Sequence, residues 1–194
     1  MIGHGRGLPY LGQVIDSKAG KGFSLIELLV VVLIILIIAA MAIPSLFRSK
    51  IAANESSAVS SVRQINTAEG TYSSSWGSGY SVDLASLGGT SAACAAGATA
   101  ANACLLDDLI SVPPFGKSGY TFAVAGTNLV GGVFNSYEVN ATPNTVQVTG
   151  VRAFCSDASG VIKYVTPGPA PIGLAAGSCA AVATVPGTSG PVGN

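Results

Sequence analysis

An apolar run from Phe23 to Ile43, broken only by Ser24 and Glu27, limits what this chain can fold into. Its 21 positions, at about 1.5 Å of rise each, make a helix of roughly 32 Å, the thickness of a bilayer's hydrocarbon core. From Leu28 to Ile43 no polar residue gives such a helix the solvent face that a helix of a small soluble domain keeps. The run therefore predicts a membrane-inserted helix. Glu27 is the anomaly. A charged residue at the centre of a membrane span is disfavoured by about 3 kcal/mol even on the milder insertion scale, so an acid in such a run calls for a partner or a function. The plain alternative is a Glu27 that reaches the headgroups from near the helix end.

The flanks separate this segment from an ordinary secretory signal, whose cleavage site follows its apolar stretch. Here Arg6, Lys18 and Lys21 lie ahead of the run, and the small-residue junction is Gly22 before Phe23. Past Ile43 a helical pattern continues with no A-x-A-like site, so processing is expected to remove residues 1–22 and keep the apolar helix. Lys18 and Lys21 before the helix balance Arg48 and Lys50 after it, and only Arg6 and the starting amine tip the count toward an inside N terminus. Four cysteines, Cys94, Cys104, Cys155 and Cys179, all follow the helix. An even number in a weakly charged domain points to disulfides and an exported C-terminal part.

Pro44 predicts a kink in the helix rather than its end. Beyond it Phe47, Ile51, Ala58, Val59, Val62, Ile65 and Tyr72 recur at helical intervals, while Arg48, Lys50, Asn54, Glu55, Arg63 and Gln64 take much of the other surface. Ser73-Ser74-Ser75 with Gly77 and Gly79 closes the helix, which from Phe23 to about Tyr72 would be on the order of 75 Å long. Strand-like runs follow at Tyr120–Ala125, Tyr137–Ala141, Val146–Cys155 and Val161–Val165. Turns are expected at Gly126-Thr127-Asn128, Pro143-Asn144 and Asp157–Gly160. Cys94 pairs most simply with Cys104 and Cys155 with Cys179, and the other connectivities would staple the connecting region to the sheet. A mobile end is expected after Cys179. The chain thus divides into a leader (1–22), a membrane helix (23–43), its amphipathic continuation (44–73), a connecting region (74–118), an antiparallel sheet (119–166) and a Pro/Gly/Ala-rich tail (167–194). The fold class is α+β, with the long helix laid on a small antiparallel sheet.

Little in the chain suits catalysis. The single histidine, His4, lies in the leader, so a processed chain has no Ser-His-Asp or Cys-His constellation and no histidine ligand. Asp107 and Asp108 read as a solvated pair, and no Gly-rich loop precedes a lysine in the phosphate-binding pattern. Removal of Arg6, Lys18 and Lys21 against Asp16 leaves six basic and eight acidic side chains, with no basic stripe for nucleic acid. Tyr72 and Trp76 read as helix-end packing residues. No enzyme activity, cofactor or metal is expected.

Lys21-Gly22-Phe23-Ser24-Leu25-Ile26-Glu27-Leu28-Leu29 resembles the leader junction of type IV pilins and type II secretion pseudopilins, and the likeness runs to about Leu46. Serine at position 24 stands where threonine is often found. The resemblance implies a type IV pilin-like fold. It also implies cleavage between Gly22 and Phe23 by a prepilin peptidase, N-methylation of Phe23, and a role for Glu27 in subunit assembly, meeting the amino terminus of the next copy. It further implies a bacterial inner-membrane subunit with its N terminus cytoplasmic and its C-terminal domain periplasmic, delivered by assembly machinery into a pilus or a periplasmic pseudopilus. Some major pseudopilins hold calcium in a C-terminal loop, but no acid follows Asp157 here. Asp157–Tyr164 resembles the strand-turn-strand of secretion-type subunits, whereas the cysteine pairs look more like pilins, and the reading leans to a pilin. A membrane-anchored binding protein that never polymerises is the alternative from another class.

Overall fold

The structure, a computed structural model, describes residues 22–77, 79–168 and 172–193. The leader up to Lys21, with His4, Arg6 and Lys18, lies outside the described residues, as do 169–171 and 194 of the tail. The chain divides between Ala42 and Ile43 into two compact units.

Helix α1 comprises Leu25–Trp76 and continues through Pro44. The Ser24 carbonyl opens it, accepting from the amides of Glu27 at 3.1 Å and Leu28 at 3.2 Å. In the first unit every described residue is exposed apart from half-buried Ala39, and even Val31 is 45% exposed. Nothing among the described residues covers this apolar surface, and a bare surface of such extent marks a membrane or a partner.

In the second unit α1 buries Glu55, Ala58, Val59, Val62, Ile65, Ala68, Glu69 and Tyr72, steps of three and four that form one stripe. The stripe packs on a six-stranded antiparallel sheet in simple sequence order. Its strands are β1 (Gly116–Lys117), β2 (Tyr120–Val130), β3 (Val133–Pro143), β4 (Ala153–Asp157), β5 (Lys163–Val165) and β6 (Ser189–Pro191). Val62, Ile65 and Tyr72 of α1 share one core with Phe122, Val139, Ala141 and Phe154. Between helix and sheet lie three short helices, α2 (Leu84–Leu87), α3 (Ser91–Ala95) and α4 (Asp108–Ser111), begun by Asp83, Thr90 and Asp107, whose side chains each accept a backbone N–H. The expected α+β architecture is the one observed, and the departures from expectation have local causes.

The β2–β3 turn is at Gly131-Gly132, not at Gly126-Thr127-Asn128. Both glycines hold positive φ, +60° and +83°, as a two-residue hairpin turn with the right twist requires. Gly126 instead serves close packing, since a Cβ there would lie 2.5 Å from the Ser81 carbonyl oxygen and 2.7 Å from the Phe134 ring. The run expected as a strand from Val146 forms a turn closed by Gln147 N–H to Gly150 O, 2.8 Å, and β4 begins only at Ala153. Gly150 makes room for the Tyr120 ring, whose hydroxyl donates to the Arg152 carbonyl at 2.8 Å. Nor is the end after Cys179 loose. β6 pairs with β5, and Val192 N–H donates to Ile162 O at 2.8 Å.

Candidate functional site

The leader junction and the first turn of α1 carry the residues singled out for processing and assembly. A Cβ on Gly22 would meet nothing within 4 Å, so packing inside the chain gives no reason for a glycine there. Phe23 is 74% exposed and is not packed against the core. Glu27 occupies the first turn of α1, where the unpaired amides favour a negative charge. Among the described residues its carboxylate has neither a hydrogen-bond partner nor an ion pair.

The globular unit is fastened by two disulfides, Cys94–Cys104 and Cys155–Cys179. The second ties the tail to β4, and three side chains reinforce it. The Glu138 carboxylate accepts from the amides of Gly177 at 2.7 Å and Cys179 at 3.0 Å. Asn140 Nδ2 donates to Gly173 O at 2.6 Å, and Lys163 Nζ donates to Ala180 O at 2.9 Å and Val182 O at 3.1 Å. Alternation along β3 explains the arrangement. Tyr137, Val139 and Ala141 join the core, so Glu138 and Asn140 point to the opposite face, where the tail covers them.

Two glutamates of α1 act in the same way. Glu55 was expected on the polar surface, but it is buried because it falls one turn before Ala58 and Val59 on the apolar stripe. Its Oε1 accepts from Val151 N at 2.8 Å and Arg152 N at 3.1 Å, and its Oε2 meets Arg152 Nη2 at 2.7 Å. Glu69 is fully buried and accepts from Ser81 N at 2.9 Å and Ser81 Oγ at 2.6 Å. Loss of water pushes its carboxyl up to about 7 against the lowering effect of those two donors. Burial also raises Glu138, opposed by its two amide donors and helped by the charge of Asp157. Sequence reading assigned Glu69 and Glu138 no role. The signal was present for Glu69, at helical spacing from Ile65 and Tyr72, whereas nothing local to Glu138 foretells the tail above it.

Asp107 and Asp108 are exposed but engaged: Asp107 pairs with Lys117 Nζ at 3.0 Å, and Asp108 accepts from Ser91 Oγ at 2.5 Å. Tyr72 and Trp76 stack with ring centroids 5.1 Å apart at the helix end. Among the described residues no three of His, Cys, Asp and Glu converge as a metal site would require.

Residues 17–43 match a family model described as the prokaryotic N-terminal methylation motif, the signature of type IV pilins and pseudopilins. The match takes in Gly22, Phe23 and Glu27 and ends at the last residue of the apolar run. No curated protein and no solved structure matches the chain.

Proposed function

We propose that this chain is a prepilin: a structural subunit cut between Gly22 and Phe23, methylated on the new amino terminus, and polymerised through α1 into a type IV pilus. One coincidence carries the reading. The methylation motif over residues 17–43 covers the stretch of α1 whose apolar side chains have no cover among the described residues. Catalysis has no part in it. The partners are a prepilin peptidase, the membrane, the assembly machinery and further copies of the chain.

The physics of the first turn fits such a use. Cleavage leaves a positive amine on Phe23 and, one helical turn away, a carboxylate with no partner among the described residues. When a second copy inserts, its amine and the Glu27 of the first neutralise each other as both helices enter an apolar bundle. At about 4 Å and an intermediate dielectric the attraction is several kcal/mol, most of it offset by desolvation, so the pair fixes axial register more than it adds affinity. A contact between unlike surfaces that does not close on itself propagates as a helical filament.

The β4–β5 turn at Asp157–Gly160 favours a second reading, the major pseudopilin of a type II secretion system. Both readings share the test of Glu27. Glu27→Ala is expected to leave insertion and leader removal intact and to abolish filament incorporation, and a normal filament yield would sink the assembly role. Mass spectrometry of the mature chain is expected to find a methylated Phe23 at its N terminus.

A further inference from the structure

The fully exposed charges of the second unit are segregated by element. α1 carries Arg48, Lys50 and Arg63, all exposed and without ion pairs among the described residues, while both of its acids in this unit, Glu55 and Glu69, are buried and occupied. The exposed carboxylates, Asp83, Asp107 and Asp108, all belong to the segment after α1. Asp107 already faces Lys117 at 3.0 Å, which leaves Asp83 and Asp108 without a cation.

Arg63 lines a groove of about 290 Å³ together with Arg152, Ser56, Val59, Phe154 and Val192. The groove holds two guanidiniums against one carboxylate. That carboxylate, Glu55, is saturated by Arg152 and by two backbone amides. Arg152 is further held over the rings of Phe154 and Tyr164, at 5.9 and 5.5 Å from their centroids. Arg63 is therefore a forked donor with no acceptor among the described residues, on the rim of a partly apolar groove. Such a site fits a carboxylate, which a guanidinium binds through two parallel hydrogen bonds.

We infer that this groove receives an exposed carboxylate, Asp83 or Asp108, of a second copy of the chain. The inference rests on the filament reading and adds a contact to it. A subunit whose fully exposed cations lie on its helix and whose exposed acids lie on the next segment is complementary to a copy of itself, and an acid-to-groove contact repeated from copy to copy is one a filament can use. Like charges would meet in a symmetric face-to-face pairing of helices, so the same segregation disfavours a closed dimer through α1.

Charge-swapped co-expression tests the pairing, scored by filament yield with wild type and Glu27→Ala as controls. Arg63→Asp alone is expected to lose about tenfold or more of its incorporation while melting like wild type, with Arg63→Gln intermediate. Asp83→Arg or Asp108→Arg alone should be defective in the same way. Co-expressing Arg63→Asp with the matching acid variant should restore mixed filaments, because each mutant interface then meets its opposite. Wild-type yield from Arg63→Asp would overturn the inference. So would a loss that neither acid variant restores, which would assign the groove to another occupant. If wild type itself forms no filament, the prepilin reading fails. If wild type assembles and Arg63→Asp does too, only this contact fails.

Discussion

Replacing Glu69 by glutamine tests how a buried acid fastens the turn after α1. Glu69 has its carboxyl pushed from 4.5 to about 7 by burial. Between those values the folded chain binds a proton that the unfolded chain does not. Stability contributed by the neutral carboxyl is therefore full below pH 4.5 and is lost as pH rises through about 7. A difference of that size, at ~1.4 kcal/mol per unit, amounts to about 3 kcal/mol, or roughly 6–12 °C in Tm for a domain of this size. Glutamine imitates the neutral form. Its carbonyl accepts from Ser81 N–H and its amide donates to Ser81 Oγ, whose own proton turns to the Asp83 carbonyl, 3.1 Å away.

The assay is thermal unfolding of the full chain in detergent, followed by near-ultraviolet circular dichroism from pH 5 to 8. Glu69→Gln is expected to match wild type at pH 5 and to exceed it at pH 8. Glu138 shifts in the same direction in both proteins, so the difference between the two curves isolates Glu69. Parallel curves would refute the reasoning. They would mean that the two Ser81 donors, rather than desolvation, govern the carboxyl.

Two further predictions concern the fastening of the globular unit. Replacing Cys155 and Cys179 by serine opens a loop of sequence separation 24 and is expected to remove about 3 kcal/mol, read as a lower urea midpoint, with earlier proteolysis at residues 172–182 than elsewhere. Gly126→Ala drives a methyl into the Ser81 carbonyl and the Phe134 ring, with an expected loss of about 1–3 kcal/mol in equilibrium unfolding, whereas Gly97→Ala, which meets nothing within 4 Å, tests the backbone strain of φ +111° alone.

What could be read from the sequence followed the range of the interaction that decides it. The apolar run and the stripe of Val62, Ile65 and Tyr72 are local patterns, and both were legible. The β2–β3 turn was missed because Gly126-Thr127-Asn128 and Gly131-Gly132 carry equal turn chemistry, and only packing against Phe134 shows which glycine is in the strand. β6 was missed for a related reason. Ser189–Pro191 has no periodicity of its own and is held by pairing with β5 and by Val192 N–H on Ile162, contacts set by how the tail folds back.

The acids show the same division and bear on the site itself. Three of the described aspartates hold a nearby backbone amide: Asp83 and Asp107 begin α2 and α4, and Asp157 accepts from Ser159 N–H at 2.8 Å, while Asp107 and Asp108 also reach the side chains of Lys117 and Ser91. The glutamates, one methylene longer, act across the fold. Glu55 reaches Val151, Glu69 reaches Ser81 and Glu138 reaches Cys179, each a carboxylate holding a distant backbone amide. The sequence has one more glutamate, Glu27, and it is the one with no acceptor role among the described residues. The other three find donors inside the chain, whereas Glu27 has none among the described residues, and the donor proposed for it is the amine of another copy. That asymmetry among the described residues fits the proposed contact with a second copy.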